Sequence, residues 1–186
     1  EFLAILELPD LDFKTVINQL GGAIKIGKLI NLDDLIIDKN KITYSVSSFK
    51  SDKYKLIKIL KNKFKTEKIK ATVRYQSSRE LTPSQSLMLN LELVSYKDKL
   101  FQIVAVSNPR SYRERDETRP AFDPLKVISI RLAKILINLS EAKQEILDPF
   151  CGTGKILQEA LLMNFNAIGS DIKIDEAKKN LLFLGD

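Results

Sequence analysis

Residues 146–155 read Ile146-Leu147-Asp148-Pro149-Phe150-Cys151-Gly152-Thr153-Gly154-Lys155. A short apolar strand, Ile146 and Leu147, runs into a turn carrying two glycines. An amphipathic helix over residues 155–163 follows. Strand, glycine turn and helix together make a small-ligand site in an α/β sheet. Glycines let the backbone approach a ligand closely, and free N–H groups at the helix start face it. The next strand, within residues 166–172, contains Ala167-Ile168-Gly169-Ser170-Asp171 and ends on an acid. Asp171 stands about 20 residues past the turn, the distance expected of a carboxylate that grips ribose hydroxyls.

The turn narrows the ligand class. A phosphate-cradling loop of the form G-x-x-x-x-G-K-S/T needs glycine where Pro149 stands and Ser or Thr where Ile156 stands. A dinucleotide fingerprint needs a third glycine where Leu157 stands. S-adenosylmethionine remains, with a ribose for Asp171, a charged amino-acid end for the turn and no pyrophosphate. The candidate cofactor residues are Asp148, Pro149, Phe150, Cys151, Gly152, Thr153, Gly154 and Asp171. Asp148 suits the ammonium end, Phe150 offers a ring for packing, and Cys151 contributes a small side chain. Gly152 and Gly154 permit close approach; plain turn chemistry is the alternative for each.

The chain has 186 residues, enough for one or two domains with a core. No apolar run is long enough to span a bilayer. A single cysteine, Cys151, leaves no intrachain disulfide framework, which fits a reducing cytoplasm. The absence of histidine argues against zinc sites and histidine-based acid–base catalysis in this segment, so no metal is expected. A net charge of +6 favours an anionic partner, nucleic acid being the commonest; solvated surface lysines are the alternative. Glu1 is not a start methionine and Asp186 follows only the second strand–helix unit of an α/β domain, so an internal segment of a longer protein is expected.

Upstream, residues 2–8 read as a strand. Residues 11–20 read as a helix with Phe13, Val16, Ile17 and Leu20 at helical spacing, Asp10 as its cap and Gly21-Gly22 as its stop. Residues 23–30 alternate as a strand. This piece suits a ferredoxin-like α+β remnant over residues 1–37. Residues 41–49 read as a strand. Between Lys50 and Arg74, basic side chains face only Asp52 and Glu67. Tyr54, Ile57, Leu60 and Phe64 form one helical stripe, widened by Leu56 and Ile59, which leaves lysines on the other face. A face of one sign attracts phosphate, so Lys58, Lys61, Lys65, Lys68 and Arg74 are the candidate RNA contacts; a merely solvated face is the alternative.

Residues 70–76 read as a strand. Thr82, Pro83 and Gln85 spell a capped helix start, and the helix is expected to continue through Leu87, Met88, Leu91 and Val94. Residues 99–107 are nearly all apolar and read as a strand buried on both faces. Residues 108–126, punctuated by prolines, read as a linker. Its Arg115 and Arg119 suit bidentate phosphate recognition or the pinning of two domains equally well. Residues 127–139 read as a helix with apolar Ile130, Leu132, Ala133, Ile135, Leu136 and Leu139, and residues 175–184 as the last helix.

The ordered set of Tyr112, Arg115-Asp116, Arg119-Pro120, Leu132-Ala133, Asn138-Leu139 and then Asp148 to Gly154 resembles the THUMP-domain RNA methyltransferases. The most similar branch is the archaeal-type tRNA guanine-N2 methyltransferases acting on guanosine 10. The resemblance implies an α/β protein with an α+β N-terminal part. It places a THUMP RNA-binding domain at residues 38–107, a linker at 108–126, and the start of a Rossmann-like S-adenosylmethionine-dependent domain at 127–186. It also implies a tRNA partner and an Asp/Asn-Pro-Pro-aromatic catalytic loop beyond residue 186, so no catalytic residue falls within the chain. In the family Asp171 is the ribose acid. The chain departs from the family at Ile130-Arg131, where Pro-Lys is frequent. The rival expectations are a DNA amino-methyltransferase with a similar turn, a non-catalytic RNA-binding protein with a degenerate core, and a nucleotide-binding oxidoreductase.

Overall fold

The computed structural model describes residues 4–9, 11–75, 80–121 and 128–184. Its elements follow in the order α1 (Phe13–Gln19), β1 (Lys25–Ile30), β2 (Lys41–Phe49), α2 (Lys53–Thr66), β3 (Lys70–Val73), α3 (Pro83–Ser86), β4 (Leu91–Tyr96), β5 (Lys99–Val106), α4 (Pro109–Glu117), α5 (Ile130–Leu139), β6 (Glu145–Asp148), α6 (Lys155–Leu162), β7 (Asn166–Gly169) and α7 (Ile174–Leu182). The chain is mixed α/β and forms two compact units, residues 24–110 and residues 1–23 with 111–186.

The unit of residues 24–110 is built on a mixed five-stranded sheet of order β1-β5-β4-β2-β3. β2 runs parallel to both β3 and β4, while β5 pairs antiparallel with β4 and β1. Alternation along β2 turns Ile42, Tyr44 and Val46 to one face, where α2 sets Ile57, Leu60 and Phe64 against them. Tyr44 and Phe64 meet edge to face at 5.1 Å. Asp52 caps α2 by accepting from the N–H groups of Tyr54 and Lys55.

In the other unit, β6 and β7 pair in parallel and α6 is the crossover between them. Ile146, Ala160 and Met163 pack with Ile137 of α5, and Cys151 and Leu157 pack with Ala177 of α7. α5 also caps the C-terminal end of α1. Arg131 donates to the carbonyls of Gly21 and Gly22, Asn138 to that of Gln19 at 3.0 Å, and Lys134 to that of Asn18. Cations there complement the end of the helix dipole. A Cβ on Gly21 would lie 2.1 Å from the Arg131 carbonyl oxygen, so only glycine allows this approach.

Several sequence expectations change. Residues 4–9 carry no regular structure, and Ile5, Leu6 and Leu8 are exposed. A strand needs a ladder partner, and among the described residues none pairs with this one. α1 is capped by Asp12, Asp10 lying outside the described residues. β1 hydrogen-bonds to β5, so residues 1–37 are divided between the two units. The capping box of Thr82 and Gln85 is present, but α3 stops at Ser86; Leu91 and Val94 belong to β4. β5 is half-buried along most of its length. Tyr54 is 72% exposed and leaves the apolar stripe of α2. The expected linker contains α4. α5 starts at Ile130 behind the N-cap Ser129, and its buried face is Ile130, Ala133, Lys134 and Ile137, with Leu132, Leu136 and Leu139 exposed. Residues 76 and 127 lie outside the described residues.

Candidate cofactor site

β6 ends at Asp148, and the chain turns through Pro149 to Gly154 before α6 begins. Asp148 accepts from the Phe150 N–H at 3.2 Å, fixing the start of the turn. Cys151 N–H reaches the Ser170 carbonyl at 3.0 Å, and Ser170 Oγ donates to the Pro149 carbonyl at 2.9 Å. The turn therefore lies against the end of β7. Gly152 and Gly154 both have positive φ, +53° and +79°. L-residues with a Cβ enter that region only at a cost.

The two glycines differ in what surrounds them. A Cβ on Gly154 would come within 3.1 Å of the Ala177 side chain, so this glycine seats α6 against α7. Among the described residues, a Cβ on Gly152 would meet nothing within 4 Å. Gly152 thus borders open space. Its N–H donates to Asp171 Oδ2 at 2.8 Å, and Asp171 Oδ1 accepts from the Lys173 N–H at 2.8 Å. Those backbone donors, Lys173 first and Gly152 second, hold the Asp171 carboxyl below its ordinary value. The acid found about 20 residues away by sequence is in direct contact with the glycine turn. Phe150 beside it is 86% exposed.

Thr153, Lys155 and Cys151 are buried. Burial, then the charges of Asp148 and Asp171, pushes the Cys151 thiol up. Leu157, which replaces the third glycine of a dinucleotide fingerprint, packs against Gly169: a Cβ there would stand 2.3 Å from its Cδ1. The open space at Gly152, the half-exposed Asp148 and Asp171 carboxylates and the free Phe150 ring suit a ligand with a polyol and a cationic end. Among the described residues no cluster of metal-ligating side chains occurs, and no helix is long and apolar enough to cross a membrane.

Arg115 and Arg119 lie in the same unit, turned inward. Arg115 donates to both oxygens of Glu159 at 3.2 and 3.4 Å, and Arg119 lies 3.7 Å from the same carboxylate and 3.6 Å from Asp116. Lys134 stands 3.7 Å from Glu159, and Lys155 donates to Asp116 at 2.7 Å. Arg115 and Lys134 also lie over the Tyr112 ring, 5.3 and 5.2 Å from its centroid. Burial lowers the pKa of Arg119, Lys134 and Lys155. Arg115 and Asp116 of α4, with Arg119 just beyond it, are thereby anchored to α6, the helix that leaves the glycine turn.

Lys58, Lys61, Lys65, Lys68 and Arg74 are all exposed, in the unit of residues 24–110. The first three are spaced along one side of α2. This unit carries 18 Lys and Arg against 8 Asp and Glu, a formal charge of +10. The rest of the chain is therefore at −4 within the total of +6. Sequence reading missed Glu159 and Asn180, both 0% exposed. Glu159 carries no local signal. Asn180 had one, since it shares the helical face of Ala177 and Leu181.

A family model described as DNA methylase, N6_N4_Mtase, matches residues 17–181. The tRNA (guanine(10)-N2)-dimethyltransferase of Pyrococcus abyssi is 39% identical over 79 residues, which cover 41% of this chain and 24% of that protein. The protein of that name from Methanothermobacter thermautotrophicus is 38% identical over 89 residues, 45% of this chain and 26% of the relative. That from Methanocaldococcus jannaschii is 27% identical over 158 residues, 83% of this chain and 44% of the relative. The matches span less than half the length of each of these relatives. With its glycine turn, an acid two residues past β7 and a match over residues 17–181, the chain belongs to the DNA methylase family N6_N4_Mtase.

Proposed function

We propose that this chain is the cofactor-binding and RNA-gripping part of an S-adenosylmethionine-dependent tRNA methyltransferase acting on guanine N2, at guanosine 10. The observation that supports the cofactor assignment is the 2.8 Å bond from Gly152 N–H to Asp171, which brings the glycine turn and that carboxylate together. In this reading Asp171 holds the ribose hydroxyls and Asp148 the ammonium end. The Phe150 ring packs on the ligand, and Pro149 with Cys151, Gly152, Thr153 and Gly154 shapes the wall. S-adenosylmethionine supplies an electrophilic methyl on a sulfonium. The protein's share is positioning and electrostatics. The catalytic Asp/Asn-Pro-Pro-aromatic loop lies beyond residue 186 in this proposal, and the protein works in the cytoplasm without a metal.

The RNA grip is assigned to the unit of residues 24–110, which contains the THUMP-like stretch 38–107. Its formal +10 and the exposed Lys58, Lys61, Lys65, Lys68 and Arg74 support phosphate contact. Arg115 and Arg119 are better accounted for by the Glu159 network than by RNA. The family's description favours a second reading, DNA amino-methylation. The names of the relatives and the separate basic unit favour tRNA. The target base must leave its stack in either case. Labelled methyl transfer by the full-length protein, with unmodified tRNA and duplex DNA side by side, tests this. Label on guanine N2 of tRNA is expected; label on DNA alone overturns the tRNA assignment. Salt-sensitive tRNA binding with no transfer supports a non-catalytic RNA-binding protein.

A further inference from the structure

We propose that Asn180 is a positioning residue that sets the orientation of the peptide between Thr153 and Gly154; this rests on the glycine turn being the S-adenosylmethionine site. Asn180 lies on α7 with its side chain fully buried. Its Nδ2 donates to the Thr153 carbonyl at 2.9 Å and to the Ala121 carbonyl at 2.8 Å. Its Oδ1 accepts from the Ala121 N–H at 2.9 Å. Both N–H groups and the carbonyl of the side-chain amide are thus engaged. No other side chain of this size makes the set: aspartate has no donor for the two carbonyls, and leucine has neither donor nor acceptor. The position is reinforced from behind, where Gln158 of α6 donates to the Asn180 backbone carbonyl at 2.6 Å.

The peptide that Asn180 grips belongs to the turn itself. Its carbonyl end is held by Asn180, and its N–H end donates from Gly154 to the Cys151 carbonyl at 2.7 Å. Gly154 sits at φ +79°, and rotation of the preceding peptide changes that angle directly. Glycine accepts either orientation, so Gly154 does not select one by itself. Asn180 supplies the selection. Gly152 is held separately, through its bond to Asp171 at 2.8 Å. The turn thus has two separate holds, Asp171 on Gly152 and Asn180 on the Thr153–Gly154 peptide; in this proposal the first serves the ribose side and the second the shape of the turn around the amino-acid end. Ala121, two residues past the buried Arg119, is fixed to the turn by the same amide.

The test separates these halves. Dissociation constants for S-adenosylmethionine and for adenosine are measured with the full chain as wild type, Asn180→Asp and Asn180→Ser, alongside thermal melts. The expected result is a loss of S-adenosylmethionine affinity of about tenfold or more, with adenosine affinity changed by less than about threefold. Equal losses for both ligands, tracking the drop in Tm, overturn the proposal in favour of a purely structural amide. Should the variants fail to fold, amide exchange in the wild type decides. The Ala121 and Gly154 amides are expected to slow with S-adenosylmethionine and not with adenosine; equal slowing overturns it. A wild type that binds neither ligand overturns the cofactor reading itself, a result distinct from wild-type binding with an unchanged ratio in the variants.

Discussion

Glu159 shows how one residue organises a site from behind. It is wholly buried, with Arg115, Arg119 and Lys134 converging on its carboxylate. Removing one partner of such a cluster leaves buried charge uncompensated, so Glu159→Gln is expected to cost about 3–5 kcal/mol, read as a fall in denaturation midpoint at constant slope. At Cys151 the raised thiol pKa keeps the thiolate population low, so alkylation at mildly alkaline pH is expected to be much slower in the native chain than in urea. Asp171 titrates in the opposite sense. Its folded pKa lies below the ordinary 3.8, so its contribution to holding the turn is complete above that value. It is lost as pH falls through the lower folded value. A melt series from neutral to strongly acid pH is expected to show that contribution only at the acid end. At this scale the turn from Asp148 to Gly154 and the distant Asp171 were legible in the sequence, because glycine and a spaced carboxylate have local signatures. Glu159 was not, since its partners come from α4, Arg119 and α5, far away in sequence; for Asn180 the helical face was readable, but its bonds to Thr153 and Ala121 were not.

Among the elements, α2 and β2 were readable for opposite reasons, one by its helical stripe and the other by a β-branched, alternating run. The stripe put Leu60 at the centre of the core, and it is 0% exposed. Leu60→Ala is expected to cost about 2–5 kcal/mol in chemical denaturation. On the solvent side, replacing Lys58, Lys61 and Lys65 together by Gln is expected to leave Tm nearly unchanged while weakening tRNA binding. The slope of log affinity against log salt should shrink by about 0.7–0.9 for each phosphate that the variant no longer neutralises. An unchanged slope would return those lysines to the role of a solvated face. β4 reads as helix in the sequence because Leu87, Met88, Leu91 and Val94 also satisfy helical spacing. Its pairing with β2 and β5 decides otherwise, as a ladder with distant segments overrides a short local period. α4 was hidden by its composition, being polar throughout with no buried residue along its length.

For the molecule as a whole, charge and architecture divide along the same line. The sheet unit of residues 24–110 holds a formal +10, and the unit with the glycine turn is net acidic. The net positive charge of the sheet unit favours encounter with a polyanion. The glycine turn is held by Asp171 and Asn180 in the other. The mixed α/β class was legible because several strand–helix alternations, β2 with α2 and β6 with α6 among them, left their period in the sequence. The division of residues 1–37 between the units was not, since β1 depends on a ladder with β5, roughly 70 to 80 residues downstream by the register. In the proposed function the glycine turn and Asp171 form one S-adenosylmethionine site. Calorimetric titration of S-adenosylmethionine into the wild-type chain and Asp171→Asn tests it most directly. One-to-one binding is predicted for the wild type, with a loss of roughly 10- to 100-fold in the variant, the worth of a charge-assisted hydrogen bond. Equal affinity in the two proteins, or no binding by a folded wild type, would contradict it.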